Sequence, residues 1–103
     1  MSVVDMTPVK DTTPPLFSGA TNATAALGAV TINWNAASDD STPAGSIVYR
    51  VFQATSPMGQ NFGTPTATTA GGATTHTVTG LTANTKYYFV VRAVDASGNV
   101  DKN

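Results

Sequence analysis

The sequence predicts an all-β domain in which two sheets, with about seven short strands between them, pack face to face. Threonine and valine, whose β-branched side chains suit a pleated surface, occur 18 and 11 times among 103 residues. Stretches of alternating apolar and polar residues recur at short spacing, and no segment between them has the 3.6-residue period of a helix. Many short strands without intervening helices are typical of a β-sandwich, and this length suffices for one domain.

Three strand signals lie in the first half of the chain, at residues 14–17, 29–34 and 47–53. The first contains two prolines, which cannot donate hydrogen bonds within a central ladder, so we expect it at a sheet edge. The second alternates strictly between apolar and polar residues. Residues 35–46, which separate the last two signals, are rich in the Asp, Ser, Pro and Gly that favour turns.

The second half of the chain contains further strand signals at residues 66–69, 75–81 and 86–95. The last of these is the strongest in the sequence, because apolar and aromatic residues occupy almost every position. Residues 56–65 carry two prolines and two glycines and predict a loop.

Alternation along these strands also predicts which side chains face the interior. The inward-facing set combines β-branched, aliphatic and aromatic residues, as a sandwich core requires. It comprises Val30, Ile32, Trp34, Ile47, Tyr49, Val51, Val78, Leu81, Tyr87, Phe89 and Val91.

Three motifs relate these strands to a known family. Trp34 ends the second strand signal, IVYRVF at 47–52 places Tyr49 at its centre, and TVTGLTANTKYYFVVRAVDASGN at 77–99 contains Leu81 and Tyr87. Together they resemble a fibronectin type III domain of the bacterial extracellular type. The resemblance implies an immunoglobulin-like sandwich with that topology and a tyrosine corner, in which the Tyr87 hydroxyl bonds to the backbone of the preceding turn. Ala83 departs from the family, which often has proline there.

The resemblance also divides the chain. Residues 1–13 are interpreted as a linker or N-terminal extension, and residues 14–103 as the fibronectin type III-like domain. The resemblance places the start of a seventh strand only near Asn103, so we expect the last strand to be short or truncated. An incomplete last strand would leave an open sheet edge, which invites pairing with another segment. Residues 2–7 are one candidate to complete that edge, in their own molecule or in a neighbouring one.

Composition argues against most catalytic and nucleic-acid-binding functions. The chain has no cysteine, all six acidic residues are aspartate, and His76 is the only histidine. Thiol chemistry is therefore excluded, and no nucleophile motif accompanies the lone histidine, which we interpret as a solvent-facing strand residue. A net charge of −1 with five scattered basic residues does not favour nucleic acid, and no apolar run is long enough to span a membrane. We expect no enzymatic activity and no cofactor.

Aspartates cluster in the turns at one end of the predicted sandwich. The resemblance places Asp39 and Asp40, Asp95 with Asn99, and Asp11 at the same pole. Several carboxylates at one pole suit calcium, which takes six to eight oxygen ligands. The spacing matches no known calcium loop, and aspartate commonly bonds its own backbone in turns. We favour turn stabilisation and predict no metal site.

An apolar surface patch is predicted on the outer face of the third and sixth strand signals, which the resemblance places side by side in one sheet. Alternation points Val48, Phe52, Tyr88 and Val90 away from the core, with Arg50 and Arg92 beside them. Exposed aromatic side chains on a flat sheet suit stacking on sugar rings or anchoring a partner protein. The structural alternative is that these residues form cross-strand pairs that stabilise the sheet.

Three functional interpretations follow. The favoured one is a non-catalytic spacer module of a larger secreted or cell-surface bacterial protein, with neighbouring domains of the same chain as partners. The alternative is a carbohydrate- or protein-binding module that uses the Phe52/Tyr88 face. The third, an enzyme, is disfavoured by the isolation of His76.

Overall fold

The computed structural model describes residues 11–103, which form two antiparallel sheets and no α-helix. The six strands of this part of the chain are β1 (Ala20–Ala26), β2 (Ala29–Trp34), β3 (Val48–Ala54), β4 (Ala67–Thr68), β5 (Thr75–Val78) and β6 (Tyr88–Val94). The residues between β2 and β3 include one turn of 3-10 helix, Ala44–Ser46. Within residues 11–103, no helix is long and apolar enough to cross a membrane.

The sheets have the orders β1-β2-β5 and β4-β3-β6, and the predicted all-β sandwich is confirmed. In the first sheet, Val30 on the central strand lies opposite Val78 on β5. In the second, β3 and β6 pair over seven residues without a shift in register. This long central pairing holds the two strands with the most buried side chains side by side.

The core lies between the sheets and consists mainly of the predicted residues. Six predicted members are at most 3% exposed: Ile32, Trp34, Ile47, Tyr49, Val51 and Val91. Val78 is also buried, whereas Val30, Leu81 and Phe89 are partly buried and pack against this cluster, and Tyr87 is half-buried. The packing is therefore tightest near the end of β2 and looser where β1 meets β2.

The tightest part of the core contains an inner aromatic cluster of Phe17, Trp34 and Tyr49. The Tyr49 ring centroid lies 5.2 Å from that of Trp34 and 5.3 Å from that of Phe17. The indole N–H of Trp34 donates to the carbonyl of Ala73 at 2.9 Å, and the Tyr49 hydroxyl accepts from the Ala37 N–H at 2.8 Å. Both polar atoms of these large buried rings are thus hydrogen-bonded.

The prediction of a first strand at 14–17 was wrong. Leu16 forms only an isolated bridge with Ser38, and the first strand is β1, at residues 20–26. All seven residues of β1 are exposed, so neither face of this strand carries the apolar period that marks a buried one. The strand consists of alanine, threonine and one asparagine, and backbone pairing with β2 holds it in place.

The last predicted strand is reduced to a single bridge between Val94 and Val100. The N–H of Asp101 donates to the Ala93 carbonyl at 2.9 Å, and the Asn103 side-chain amide donates to the Val91 carbonyl at 2.8 Å. The chain therefore runs alongside β6 in the antiparallel direction. The hypothesis that residues 2–7 complete this edge lies outside the described residues, as do ten of the thirteen positions assigned to the extension.

The tyrosine corner that the resemblance implies is present. The Tyr87 hydroxyl accepts a hydrogen bond from the backbone N–H of Thr82 at 2.9 Å, across the turn that precedes β6. Asn84 in this turn has a φ of 58°, a left-handed conformation that asparagine adopts more readily than most residues. Alanine at position 83, where the family often has proline, leaves this corner intact.

Candidate functional site

Aspartates from three separate segments meet at one end of the sandwich. Asp11 precedes the first sheet, Asp39 lies in the loop between β2 and β3, and Asp95 directly follows β6. One carboxylate oxygen from each lies within 4.8 Å of the others. We call these three residues the acidic pole; they lie together as the resemblance implied.

Two residues of the acidic pole each use one oxygen to hold a local turn. Asp39 accepts through Oδ2 from the N–H groups of Ser41 and Thr42, at 3.1 and 2.9 Å. Asp11 accepts through Oδ1 from the N–H of Thr13 at 3.0 Å. Their other oxygens, Oδ1 of Asp39 and Oδ2 of Asp11, each expose less than 1 Å² and accept no hydrogen bond within the described chain. The turn-stabilising role of both carboxylates is confirmed.

Asp95 is the deepest residue of the acidic pole, with 4% of its surface exposed. Its Oδ1 accepts from the N–H groups of Ser97 and Asn99, at 3.0 and 2.9 Å. The side-chain amide of Asn99 donates both to Asp95 Oδ2 at 3.0 Å and to the Asp11 carbonyl at 2.9 Å. Asn99 therefore fixes the separation of Asp11 from Asp95.

The carboxyl groups of Asp11 and Asp95 influence each other. Burial acts to raise the pKa of Asp95, but hydrogen bonds from Asn99, the contact with Asp11 and the Ser97 N–H lower it below the ordinary value. The Thr13 N–H acts to lower the pKa of Asp11. Burial, a side-chain hydrogen bond to Asp95 and nearby negative charge outweigh that bond, so the pKa of Asp11 is raised. The negative charges that act on Asp11 are those of Asp39 and Asp40.

The predicted patch on the outer face of the second sheet is only partly accessible. Cross-strand pairs place Val48 opposite Val94, Phe52 opposite Val90, and Tyr88 opposite Ala54. The prediction that Phe52 is exposed was wrong, because only 2% of its surface is accessible. Val48, Tyr88 and Val90 are half-buried, and their role as partner-binding residues stays a prediction.

The loop between β3 and β4 covers Phe52. Phe62 in this loop lies edge-on to Phe52, with ring centroids 5.0 Å apart, and the Arg92 guanidinium lies 3.7 Å from the centroid of the Phe62 ring. Gln60, itself buried, donates from its side-chain amide to the Tyr88 carbonyl at 3.2 Å. We call Phe52, Phe62 and Arg92 the outer aromatic cluster. The sequence analysis did not identify Phe62 or Gln60. The available signal was Phe62 itself, a lone aromatic residue in a loop of turn-forming residues.

The same face carries two arginines directly opposite each other, Arg50 on β3 and Arg92 on β6. Like charges at opposed positions repel, which lowers the stability of the pair. Stacking on Phe62 offsets part of this repulsion for Arg92 because the ring face attracts a cation. Both arginines are half-buried.

His76 differs from its predicted solvent-facing position. It lies opposite Ile32 in the pairing of β2 and β5, so it shares the inward face of this sheet and is half-buried at its edge. It is not among the residues that meet at the acidic pole.

A shallow apolar groove lies at the end of the sandwich opposite the acidic pole. The β1–β2 hairpin turn and the turn before β6 form its walls, and its volume is about 200 Å³. Leu27, at the tip of the hairpin, is 94% exposed, and Gly28 beside it takes a φ of 69°. The walls present alanine and leucine side chains and the Tyr87 ring, with no charged residue among them.

Comparison with known proteins agrees with this architecture. The sequence model of the fibronectin type III domain matches residues 19–102. Chitinase Chi52 of Paenibacillus xylanexedens is 38% identical over 95 residues, which is 91% of this chain and 16% of that protein. Chitinase D of Niallia circulans is 41% identical over 95 residues, again 91% of this chain and 16% of the relative. Exoglucanase B of Cellulomonas fimi is 36% identical over 90 residues, or 87% of this chain and 7% of the relative.

This chain therefore spans only a small part, between 7% and 16%, of the relatives it matches. The match extends over nearly the whole sandwich and includes the strand-ending tryptophan and the tyrosine corner described above. The chain belongs to the fibronectin type III family, as a module of the kind that is a small part of larger proteins.

Proposed function

We propose that this chain is a non-catalytic spacer that separates other domains of a larger secreted or cell-surface bacterial protein acting on polysaccharide. The observation that carries the proposal is the pattern of coverage: the relatives named chitinase and exoglucanase match nearly all of this chain but at most 16% of their own length. The catalytic parts of such proteins would then lie outside the matched segment. The extracellular location follows from the same resemblance.

The path of the chain through the sandwich suits a spacer. The chain enters at the acidic pole, where Asp11 lies beside Asp95. After the bridge at Val100 it runs alongside β6 away from that pole, since Asp101 bonds to Ala93 and Asn103 to Val91. Domains attached before and after the sandwich would therefore lie toward opposite ends of it. A folded body of fixed length keeps them apart more reproducibly than a flexible linker does.

A domain replacement tests the spacer function. The segment of Chitinase Chi52 that matches this chain is replaced either by residues 14–103 or by a Gly/Ser linker with the same number of residues. We expect the first chimera to hydrolyse insoluble chitin within about twofold of the parent rate, and the linker version to be slower because it no longer fixes the distance between domains. Both should hydrolyse a soluble substrate at the parent rate.

Two results would contradict the spacer function. If the Gly/Ser version matches the parent on insoluble chitin, a folded body is not needed. If the isolated chain hydrolyses chitin or cellulose fragments, and His76→Ala abolishes that turnover, the module is itself catalytic.

A second function, binding of a polysaccharide or protein through the outer face, is favoured by one observation. Tyr88, Val48 and Val90 remain half-accessible beside the two opposed arginines, so an aromatic ring and hydrogen-bond donors are available on one surface. Titration of the labelled chain with soluble chitin and cellulose oligosaccharides, followed by amide NMR, measures it. Shifts around Tyr88 that Tyr88→Ala abolishes, and that Thr24→Ala on the other sheet leaves unchanged, would establish binding.

A further inference from the structure

We propose that the outer face of the second sheet binds an acidic, carboxylate-bearing polysaccharide through Arg50, Arg92 and Lys102, which lie side by side. We call these three residues the cationic row. The proposal goes beyond the spacer function. It narrows the second function to one class of ligand, and it rests on that function in requiring the outer face to be a binding surface.

The fold places two half-buried arginines next to each other on this face. Arg50 on β3 lies directly opposite Arg92 on β6, where like charges repel. Of the five aspartates in residues 11–103, four lie at the end of the sandwich that carries the acidic pole. The fifth, Asp101, is buried, and its carboxylate accepts from the Asn103 side-chain amide. An anion bound between the two guanidinium groups would replace their repulsion by attraction.

Lys102 extends the row by one position. The chain after β6 returns antiparallel to it, and the Asp101 N–H donates to the Ala93 carbonyl at 2.9 Å. The same register places Lys102 beside Arg92. Asp101 is buried and Lys102 is exposed, so alternation puts the Lys102 side chain on the outer face. Three of the five basic residues of the chain therefore lie in one row across the sheet, although the sequence separates them.

Phe62 holds one member of the row in position. The Arg92 guanidinium lies 3.7 Å from the centroid of the Phe62 ring. The Nε atom of Arg92 exposes less than 1 Å² and donates no hydrogen bond within residues 11–103, so the terminal amino groups are the donors left for a ligand. A guanidinium group matches a carboxylate with two parallel hydrogen bonds, and one held in place by stacking loses less freedom when it binds.

The spacing and surroundings of the row favour a polysaccharide over other polyanions. Neighbouring strands are about 4.8 Å apart, so the row offers about one cation per sugar residue of an extended acidic glycan. Along one face of an extended polypeptide, side chains repeat only every ~6.8 Å. Single-stranded nucleic acid needs aromatic rings on which its bases stack, but the Phe62 ring is occupied by Arg92 and Phe52 is buried. Thr68, exposed and opposite Arg50 on β4, adds a hydroxyl suited to bonding with a sugar hydroxyl.

The test compares two ligands that differ only in charge. The labelled whole chain is titrated with tetragalacturonate, which carries one carboxylate per sugar, and with its fully methyl-esterified form, and both titrations are followed by amide NMR. We expect tetragalacturonate to shift the amides of the cationic row with a dissociation constant of about 10⁻⁴ to 10⁻³ M at low salt. Raising the NaCl concentration from about 20 to about 200 mM should weaken binding at least threefold, because salt screens the charges. The esterified ligand should leave these amides unshifted.

Two lysine variants form a matched pair. Lys102→Gln and Lys86→Gln each remove one exposed positive charge, but Lys86 lies outside the row, in the turn before β6. Lys102→Gln should weaken binding about fivefold, whereas Lys86→Gln should change it less than twofold. Arg50→Gln should weaken binding about tenfold without lowering the melting temperature, because it also removes the repulsion from Arg92.

The proposal is overturned if tetragalacturonate shifts no amide of the cationic row at low salt, or if the two lysine variants weaken binding equally. It is also overturned if the esterified ligand, an oligothymidylate or polyglutamate binds the row as tightly as tetragalacturonate. Shifts confined to the surroundings of Tyr88, given by neutral oligosaccharides alone, would overturn the cationic row and leave the second function intact. The spacer function is measured separately, by the domain replacement.

Discussion

Strand β3 carries an aromatic cluster on each of its faces, and the two differ in what covers them. On the inner face, Tyr49 packs with Trp34 and Phe17 between the sheets. On the outer face, Phe52 packs with Phe62 from the β3–β4 loop, and Arg92 stacks on that ring. Ring spacings are similar, at 5.0–5.3 Å, and both Tyr49 and Phe52 are almost fully buried.

The difference lies in the source of the burial. The inner aromatic cluster is covered by a second sheet, and both of its polar atoms are hydrogen-bonded, with the Trp34 indole donating and the Tyr49 hydroxyl accepting. The outer aromatic cluster is covered by one loop, whose own attachment includes the bond from Gln60 to Tyr88. A loop opens locally at lower free energy than a sheet separates, so the two clusters should respond differently to the same kind of substitution.

The largest expected effect is on the inner side. Trp34→Ala should lower the free energy of unfolding by about 3–5 kcal/mol, because it removes a buried ring and leaves a cavity between the sheets. Chemical denaturation at equilibrium measures this change. An unchanged midpoint would mean that Trp34 does not belong to the core.

Phe52→Ala tests whether the outer aromatic cluster is a second core. We expect a loss of about 2–4 kcal/mol, smaller than for Trp34 because the covering loop can collapse into the space. Val48→Ala, a half-buried position on the same face, is the control and should lose less. A loss below about 0.5 kcal/mol for Phe52→Ala, as at an open surface position, would show that the loop does not cover this ring in solution.

Removing hydroxyls sharpens the comparison, because two tyrosines accept bonds from backbone N–H groups in different surroundings. Tyr49→Phe leaves the Ala37 N–H without its partner in a buried position, and about 1–3 kcal/mol of stability should be lost. Tyr87→Phe frees the Thr82 N–H, which lies at the surface and can bond to water, so the loss should be about 0.5–1 kcal/mol. Equal losses of stability in the two variants would mean that burial of the N–H group does not determine the cost of removing its partner.

The smallest effect concerns the arginines. Arg92→Met should lower stability by about 0.5–1 kcal/mol through loss of stacking on Phe62, whereas Arg50→Met should be neutral or stabilising because it relieves the repulsion between the opposed pair. A double-mutant cycle of Arg92→Met with Phe62→Leu isolates the contact. A coupling energy of zero would remove Arg92 from the outer aromatic cluster.

Local periodicity explains which parts of this molecule could be predicted. Val30, Ile32 and Trp34 alternate with polar residues on a strand that is buried on one face, so spacing alone predicts that their side chains point inward. β1 has no buried face and therefore no period to detect. Phe52 points outward as alternation predicts, but its burial depends on Phe62, ten residues further along in a loop.

The acidic pole was predictable only in outline. The resemblance gave the loops that meet at one end, and aspartates in those loops followed from the sequence. Which oxygens turn formation leaves unused depends on side-chain rotation and on neighbours such as Asn99, and spacing in the sequence contains neither.

The exposed strand β1 has a mechanical consequence. All side chains of β1 are exposed, so they add nothing to the core. Side-chain hydrogen bonds, such as that from Asn33 to Asn22 at 2.8 Å, only supplement the backbone hydrogen bonds to β2. Tension applied through the chain before Ala20 would first have to open the Leu16–Ser38 bridge and pull Phe17 out of the inner aromatic cluster, because both residues precede β1. The ladder to β2 would then separate one rung at a time, beginning opposite Trp34 and ending at the hairpin. Seven released residues, at about 3.3 Å each, would add about 23 Å to the tether. The contacts of Leu16 and Phe17 therefore protect a strand that has no buried side chains of its own.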